Sequence, residues 1–266
     1  MKIAVTSDIH YDLIRSSEDR LQFERFLEAL YSEKPDVLII AGDVIGLGWQ
    51  MLPECLSIFA SVCPERLMVF GNHDYWSRDK KTFQHLEFIS DLIEDNGFHL
   101  LDNHSRIIGS TGFAGNCGWY DYSLAHNHNS GMFSFEKKMI NGRVIWNDAN
   151  YINLEKSDSE HARNLFNRLE HDIVALENRV ETIVAVTHHL AFGDMVIRKD
   201  DDPLWNFCNA FIGSRKIGEM LLRHPRVTHH LCGHTHSTSD IMIGQLRSLN
   251  PGSTYRVKKY LCFEIP

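Results

Sequence analysis

Leu67-Met68-Val69-Phe70-Gly71-Asn72-His73-Asp74 runs from four consecutive apolar side chains straight into an amide, an imidazole and a carboxylate. An unbroken apolar run of this length reads as a strand covered on both faces, the kind found in parallel sheets. Taken alone, the polar end reads equally well as an Asx-type turn, because Gly, Asn and Asp are ordinary turn residues. What decides between the two is recurrence. Ile3-Ala4-Val5 leads to Asp8 and His10, Val37-Leu38-Ile39-Ile40 to Gly42-Asp43, Ile183-Val184-Ala185-Val186 to His188-His189, and Val227 to Cys232 to Gly233-His234-Thr235-His236.

Helical patterns separate these runs. Phe23, Phe26, Leu27, Leu30 and Tyr31 lie on one face of a helix that Ser16 and Asp19 open as a capping box and Pro35 closes. Further helices are predicted over 50–62 and 80–95, along Ala162 to Leu176, and over 214–223 before Pro225. The first five elements read β-α-β-α-β, which predicts a parallel sheet with right-handed crossovers. Strand-like pieces lie near 99–101, 106–108, 240–249 and 255–264. Two stretches, 112–153 and 190–209, lose all periodicity, and loops of that length inside a domain are where specificity is expected.

A chain of 266 residues, 43% hydrophobic and 23% charged, is expected to form a single domain over 1–266. No apolar run reaches membrane-spanning length, and the first residues lack a signal-peptide core, so a cytoplasmic protein with no membrane partner is expected. The six cysteines show no Cys-x-x-Cys pair, which predicts reduced thiols. A net charge of −8 argues against broad binding to nucleic acid, and a small anionic substrate would need a local source of positive charge. Sixteen histidines point to metal as that source.

In open α/β sheets, residues at the carboxyl ends of strands converge on one crevice. Asp8, His10, Asp43, Asn72, His188, His234 and His236 then form a single set of oxygen and nitrogen donors without thiolate, suited to Zn, Mn, Fe, Co or Ni. Seven ligands exceed what one tetrahedral ion takes, whereas two ions sharing a bridging Asp43 use them all. Two dications, two carboxylates and a bridging hydroxide leave one net positive charge, enough to attract phosphate. Such a pair clamps an in-line displacement at phosphorus and lowers the pKa of water. The chemistry implied is hydrolysis of a phosphate ester.

Asp8-x-His10, Gly42-Asp43, Gly71-Asn72-His73-Asp74, His188 and Gly233-His234-x-His236, in this order, resemble the signature blocks of the calcineurin-like metallophosphoesterases. Asn250-Pro251-Gly252-Ser253 resembles a turn of the smaller bacterial-type phosphodiesterases of that superfamily. The resemblance implies a four-layer α/β/β/α sandwich. It also implies two divalent ions, with Mn or Fe/Zn favoured, the first held by Asp8, His10, Asp43 and His236 and the second by Asp43, Asn72, His188 and His234. His73 would contact the phosphoryl oxygen or protonate the leaving group.

The expected activity is hydrolysis of small or nucleotide-like phosphomonoesters or phosphodiesters, the alternatives being a metal-dependent nuclease and a non-catalytic metal-bound scaffold for protein contacts. The chain departs from the phosphoprotein phosphatases at Gly46, where an acid that orients His73 is absent, and in lacking their phosphate-gripping Arg; Asp74 is the nearest substitute for that acid. Of the remaining histidines, His189 should point away from His188, His229 and His230 read as structural, and His126 and His128 as solvated. Lys137, Lys138, Arg143, Arg198 and Lys199 read as surface charges.

Overall fold

The computed structural model describes residues 1–125, 133–199 and 201–266. In chain order the strands are β1 (Lys2–Thr6), β2 (Val37–Ala41), β3 (Glu65–Val69), β4 (His99–Leu100), β5 (Arg106–Ile108), β6 (Thr111–Asn116), β7 (Phe133–Ser134), β8 (Met139–Ile140), β9 (Arg143–Val144), β10 (Thr182–Thr187), β11 (Val227–Leu231), β12 (Ser239–Ile243), β13 (Leu246–Asn250) and β14 (Tyr260–Glu264). The helices are α1 (Ser17–Glu33), α2 (Leu52–Phe59), α3 (Thr82–Asp95), α4 (Asp148–Tyr151), α5 (Asp158–Glu177), α6 (Pro203–Cys208) and α7 (Arg215–Leu221).

One sheet has the order β14-β1-β2-β3-β4, parallel except for β14. The other has the order β12-β13-β11-β10-β6-β5, with a parallel centre and antiparallel strands at both edges. Alternation along each strand sorts the side chains into three cores. Ile3, Val5, Ile39 and Val69 meet Val184, Val186 and Leu231 between the sheets. Their neighbours Ala4, Leu38, Ile40 and Met68 pack under α1, α2 and α3, while Ile183 and Ala185 pack under α5 and α7. The layers are therefore helix, sheet, sheet and helix, as the resemblance implied. The Ser16–Asp19 capping box is present, and Ser157 with Glu160 makes a second one on α5.

The first aperiodic stretch needs correction. Residues 111–116 form β6, a fully buried strand of the second sheet, so the irregular segment starts after Asn116. Thr-Gly-Phe-Ala-Gly-Asn lacks a strand's usual pattern because the second glycine has no room for a side chain. A Cβ on Gly115 would lie 2.6 Å from the Val186 carbonyl oxygen and 2.9 Å from Val69 Cγ1. Past this point the segment holds the small sheet β7-β8-β9 and α4. The helix expected over 50–62 is shorter, a 3-10 turn at Trp49–Met51 leading into α2. The stretch 190–209 contains a 3-10 turn at Gly193–Met195 and α6. His126 and His128 lie outside the described residues. Lys138 is buried rather than a surface charge, since it pairs with Asp158, whose carboxylate also accepts from Trp119 and Tyr122.

Asp102, just after β4, ties the two sheets together: its carboxylate accepts the Phe70 N–H from one and the Cys117 N–H from the other, both at 2.9 Å. Among the described residues no helix is long and apolar enough to cross a membrane.

His230 on β11 is fully buried between the Thr187 and Ser248 hydroxyls, at 2.8 and 2.9 Å. Burial lowers its pKa to about 3. In the unfolded chain a histidine takes up a proton near pH 6.5, so the unfolded state binds more protons through the window between those values and stability falls as the pH drops through it. His230→Gln is expected to remove about 2 kcal/mol of the stability difference between pH 7 and pH 5. Urea unfolding of metal-free protein at the two pH values measures this; an unchanged difference would refute it.

Candidate metal centre

β1, β2, β3, β10 and β11 all end at the same edge of the sandwich, where their turns bond to one another. Asp8 N donates to Gly42 O and His10 N to Asp43 O, each at 3.0 Å; Gly233 N donates to His188 O at 2.9 Å. Across the sheets, His234 N donates to both Asp8 carboxylate oxygens at 3.1 Å. These turns are tight. Asp8, His10, Asp43, His234 and His236 have φ of 53°, 43°, 55°, 71° and 53°, left-handed conformations that cost free energy for residues with a Cβ. Gly71 has to be glycine, because a Cβ there would stand 2.1 Å from Asp43 Oδ1.

Two groups of donor atoms capable of holding a cation result: Asp8, His10 and His236, and Asp43, His188 and His234. Between them stands Asp43 Oδ2, 3.3 Å from His188 Nε2, 3.7 Å from His10 Nε2 and 4.0 Å from His73 Nε2. His10, Asp43 and His73 form a third, overlapping group. Asp43 Oδ1 is already engaged by the His73 N–H at 2.8 Å, which leaves Oδ2 facing the histidines. Asp8 Oδ1 is 3.3 Å from His236 Nε2.

The donor set fits a metal. His188 Nδ1 lies 2.8 Å from the Ala41 carbonyl, which fixes the tautomer and aims the Nε2 lone pair at the centre. That Nε2 is only 3.1 Å from His234 Nδ1, so a proton or cation must lie at or beside the contact. In the metal-free chain a proton serves. Burial lowers the His188 pKa, but Asp43 and Asp8 outweigh burial and lift it to about 9. Burial likewise pushes up the Asp43 carboxyl, yet His188 and His73 hold it well below the usual range. His10 is driven down to about 3 by burial and, being neutral, keeps a lone pair on one ring nitrogen. Both His10 ring nitrogens, Asn72 Oδ1 and His234 Nε2 are buried without a hydrogen-bond partner, an arrangement that native cores avoid unless a ligand completes it.

Asp148 sets the orientation of Asn72. One of its carboxylate oxygens accepts Asn72 Nδ2 at 2.9 Å and Trp76 Nε1 at 2.8 Å; the other accepts the Tyr120 hydroxyl at 2.9 Å and Trp146 Nε1 at 2.8 Å. With its NH2 so held, Asn72 can present only Oδ1 to the centre. The Trp76 ring fixed by the same carboxylate lies against His73, with centroids 3.7 Å apart.

Asp74 does not orient His73. Its carboxylate accepts the backbone N–H groups of Asp43, Ile45 and Gly71, and among the described residues no hydrogen bond or ion pair joins it to the imidazole. It stiffens the turns that carry Asp43 and Asn72 instead. At the missing acid, a Cβ on Gly46 would lie 3.4 Å from Asp12 Oδ2 and 3.6 Å from His73 Nδ1, so Asp12 flanks the space that the absent side chain would occupy.

His189 does not turn clear of the centre: its Nδ1 lies 3.1 Å from the Cys117 carbonyl and its ring packs on Trp119 and Tyr120, but that ring is also 4.4 Å from the His234 ring. His229 stacks on Phe263. Asn250, at the start of the Asn-Pro-Gly-Ser turn, donates to Gly233 O at 2.6 Å and so braces the last histidine pair. Sequence reasoning missed Asp148 and Tyr255. Tyr255 packs 4.7 Å from the His10 ring and 4.6 Å from the His236 ring, on a turn held by Lys258, whose ammonium donates to the carbonyls of Asp8, Thr254 and Tyr255. Tyr255 follows no apolar run, and Val144-Ile145-Trp146 before Asp148 lies in a stretch without strand or helix periodicity, so the signal that picked out the candidate ligands does not mark them.

A sequence model of the calcineurin-like phosphoesterases matches residues 1–238. The chain belongs to the calcineurin-like phosphoesterase family. A search of curated protein sequences found no match. Among solved structures, phosphopantetheinyl hydrolase PptH from Mycobacterium tuberculosis superposes with a TM-score of 0.72 at 15% identity, covering 98% of this chain and 95% of that one. A dimetal phosphatase from Danio rerio gives 0.52 at 12% identity, covering 96% and 88%. GAP50, the anchor in the inner membrane complex of Plasmodium, gives 0.52 at 11% identity, covering 96% and 72%. At such identities the likeness is one of fold. Family membership makes this phosphoesterase metal-dependent.

Asp148→Asn keeps the shape of this side chain but turns an NH2 towards groups that donate. The affinity for Mn is expected to fall about 10- to 100-fold with unchanged far-ultraviolet circular dichroism, as read by titration calorimetry. Unchanged affinity would show that Asn72 does not depend on Asp148.

Proposed function

We propose that this phosphoesterase uses two divalent ions that share Asp43 to hydrolyse small or nucleotide-like phosphomonoesters or phosphodiesters by in-line attack of water at phosphorus. The observation that supports this best is the position of Asp43 Oδ2, within 4.0 Å of imidazole nitrogens on both sides of it. In this reading Asp8, His10, His236 and Asp43 hold one ion and Asp43, Asn72, His188 and His234 the other. The ions would supply a water of lowered pKa and positive charge for the phosphoryl oxygens. Mn or an Fe/Zn pair suits the oxygen and nitrogen donors. Six free cysteines fit a reducing, cytoplasmic setting.

The chain's own residues do the rest. Asp43 and Asp8, both buried, keep the donor atoms converged. His73, with 15% of its side chain exposed, stands beside Asp43 where an incoming ester can reach it, and donates a hydrogen bond to the phosphoryl oxygen or a proton to the leaving group. Trp76 limits the ring to one plane.

p-Nitrophenyl phosphate and its bis-ester, each with added Mn, Fe or Zn, provide the test. Hydrolysis is expected with metal, and Asp43→Asn is expected to abolish it; no turnover with any metal would sink the proposal. His73→Gln is expected to lower kcat about 10²- to 10⁴-fold on an alkyl ester, and much less on the p-nitrophenyl ester, whose leaving group needs no proton. Equal losses on both esters would instead assign His73 to the phosphoryl oxygen.

A further inference from the structure

A groove of about 390 Å³ opens directly from the candidate metal centre, with His234 and His236 at one end. Its walls carry Trp146, Ile197, Trp205, Ile212 and Tyr255, and among the described residues no Lys, Arg, Asp or Glu lines it. Ile197, Trp205 and Tyr255 are 47%, 37% and 48% exposed, so large apolar surface gathers here. A patch of that kind marks a binding site.

The N–H groups of its two indoles are already engaged. Trp146 Nε1 donates to Asp148 and Trp205 Nε1 to the Ile197 carbonyl at 2.7 Å. Lys199 caps the Trp205 ring with its ammonium 3.6 Å from the centroid, and Trp146 is backed by Phe211. The indoles thus offer the groove ring surface and not hydrogen bonds, from positions fixed by the protein.

We infer that this groove receives the organic arm of the phosphoester and selects an uncharged arm carrying an aromatic or other flat ring. The inference rests on the hydrolase reading above, and its occupant follows from continuity with the donor atoms: His234 and His236 line the same groove as Trp146, Trp205 and Tyr255, so an ester whose phosphate reaches these histidines can lay its arm along those rings. Among the described residues lining the groove none would supply a counter-charge to a second phosphate or a carboxylate on that arm, and Lys199 beside it is engaged by the Trp205 ring.

Benzyl phosphate and methyl phosphate test this, since their leaving alcohols are of similar acidity and differ in the ring. The benzyl ester is expected to show a kcat/KM at least about tenfold higher. Trp205→Ala should shrink that ratio and Trp205→Phe restore most of it. Independently of turnover, benzylphosphonate should quench tryptophan fluorescence saturably and methylphosphonate should not. Equal kcat/KM for the two esters, or a ratio that Trp205→Ala leaves in place, overturns the inference while leaving the hydrolase reading intact. If neither ester is hydrolysed, the p-nitrophenyl esters judge the hydrolase reading, and the quenching result alone decides whether the groove binds the ring. A dimer by sedimentation that Trp205→Ala dissociates would assign the groove to a second copy of the chain and overturn the inference.

Discussion

The carboxylate of Asp43 stands almost fully buried among the imidazoles of His10, His73 and His188, which reach it from three other strand ends. A buried charge is costly unless it is paired and hydrogen-bonded, so everything around it has to be held in register. Strands β1, β2, β3, β10 and β11 deliver their ends to one edge. The bonds between their turns and the carboxylate of Asp74 then fix the spacing. Gly71 lets β3 pass close to Asp43. Five left-handed residues at this edge carry strain that the packed sheets beneath them offset.

The irregular segment after Asn116 acts as a brace. Its Asp148 gathers donors from Asn72, Trp76, Tyr120 and Trp146, and so joins the turn after β3 to the insertion. Trp119 and Tyr120 are fully buried beneath it. The same segment contributes Trp146 to the groove beside the donor atoms. One carboxylate therefore links the orientation of a candidate ligand to the wall of the groove. That link explains why an aperiodic stretch is rich in aromatic residues: they are spent on packing and on presenting ring faces.

The five strand ends were legible in the sequence because each apolar run needs a buried neighbour on both faces, which leaves its polar terminus at an edge. Asp8, His10, Asp43, Asn72, His188, His234 and His236 could be picked out for that reason; in the structure the six of them that carry a carboxylate or an imidazole gather into groups able to hold a cation. β6 was not legible, since Gly115 answers to the close approach of Val186 and Val69 and not to any local pattern. Asp74 was misread for a related cause. Adjacency to His73 along the chain says nothing of where a carboxylate finds donors, and three backbone N–H groups claim it.

The sequence by itself determined the parallel α/β character and the candidate donor residues at the strand ends, because hydrophobic period and residue type act locally. The tertiary structure alone decided that Asp43 stands among histidines from other strand ends, that Asp148 orients Asn72, and that Tyr255 and Trp205 border the same groove. Each of these contacts joins residues far apart in the chain. Their geometry comes from the packing of two sheets against each other, and no local pattern encodes that distance.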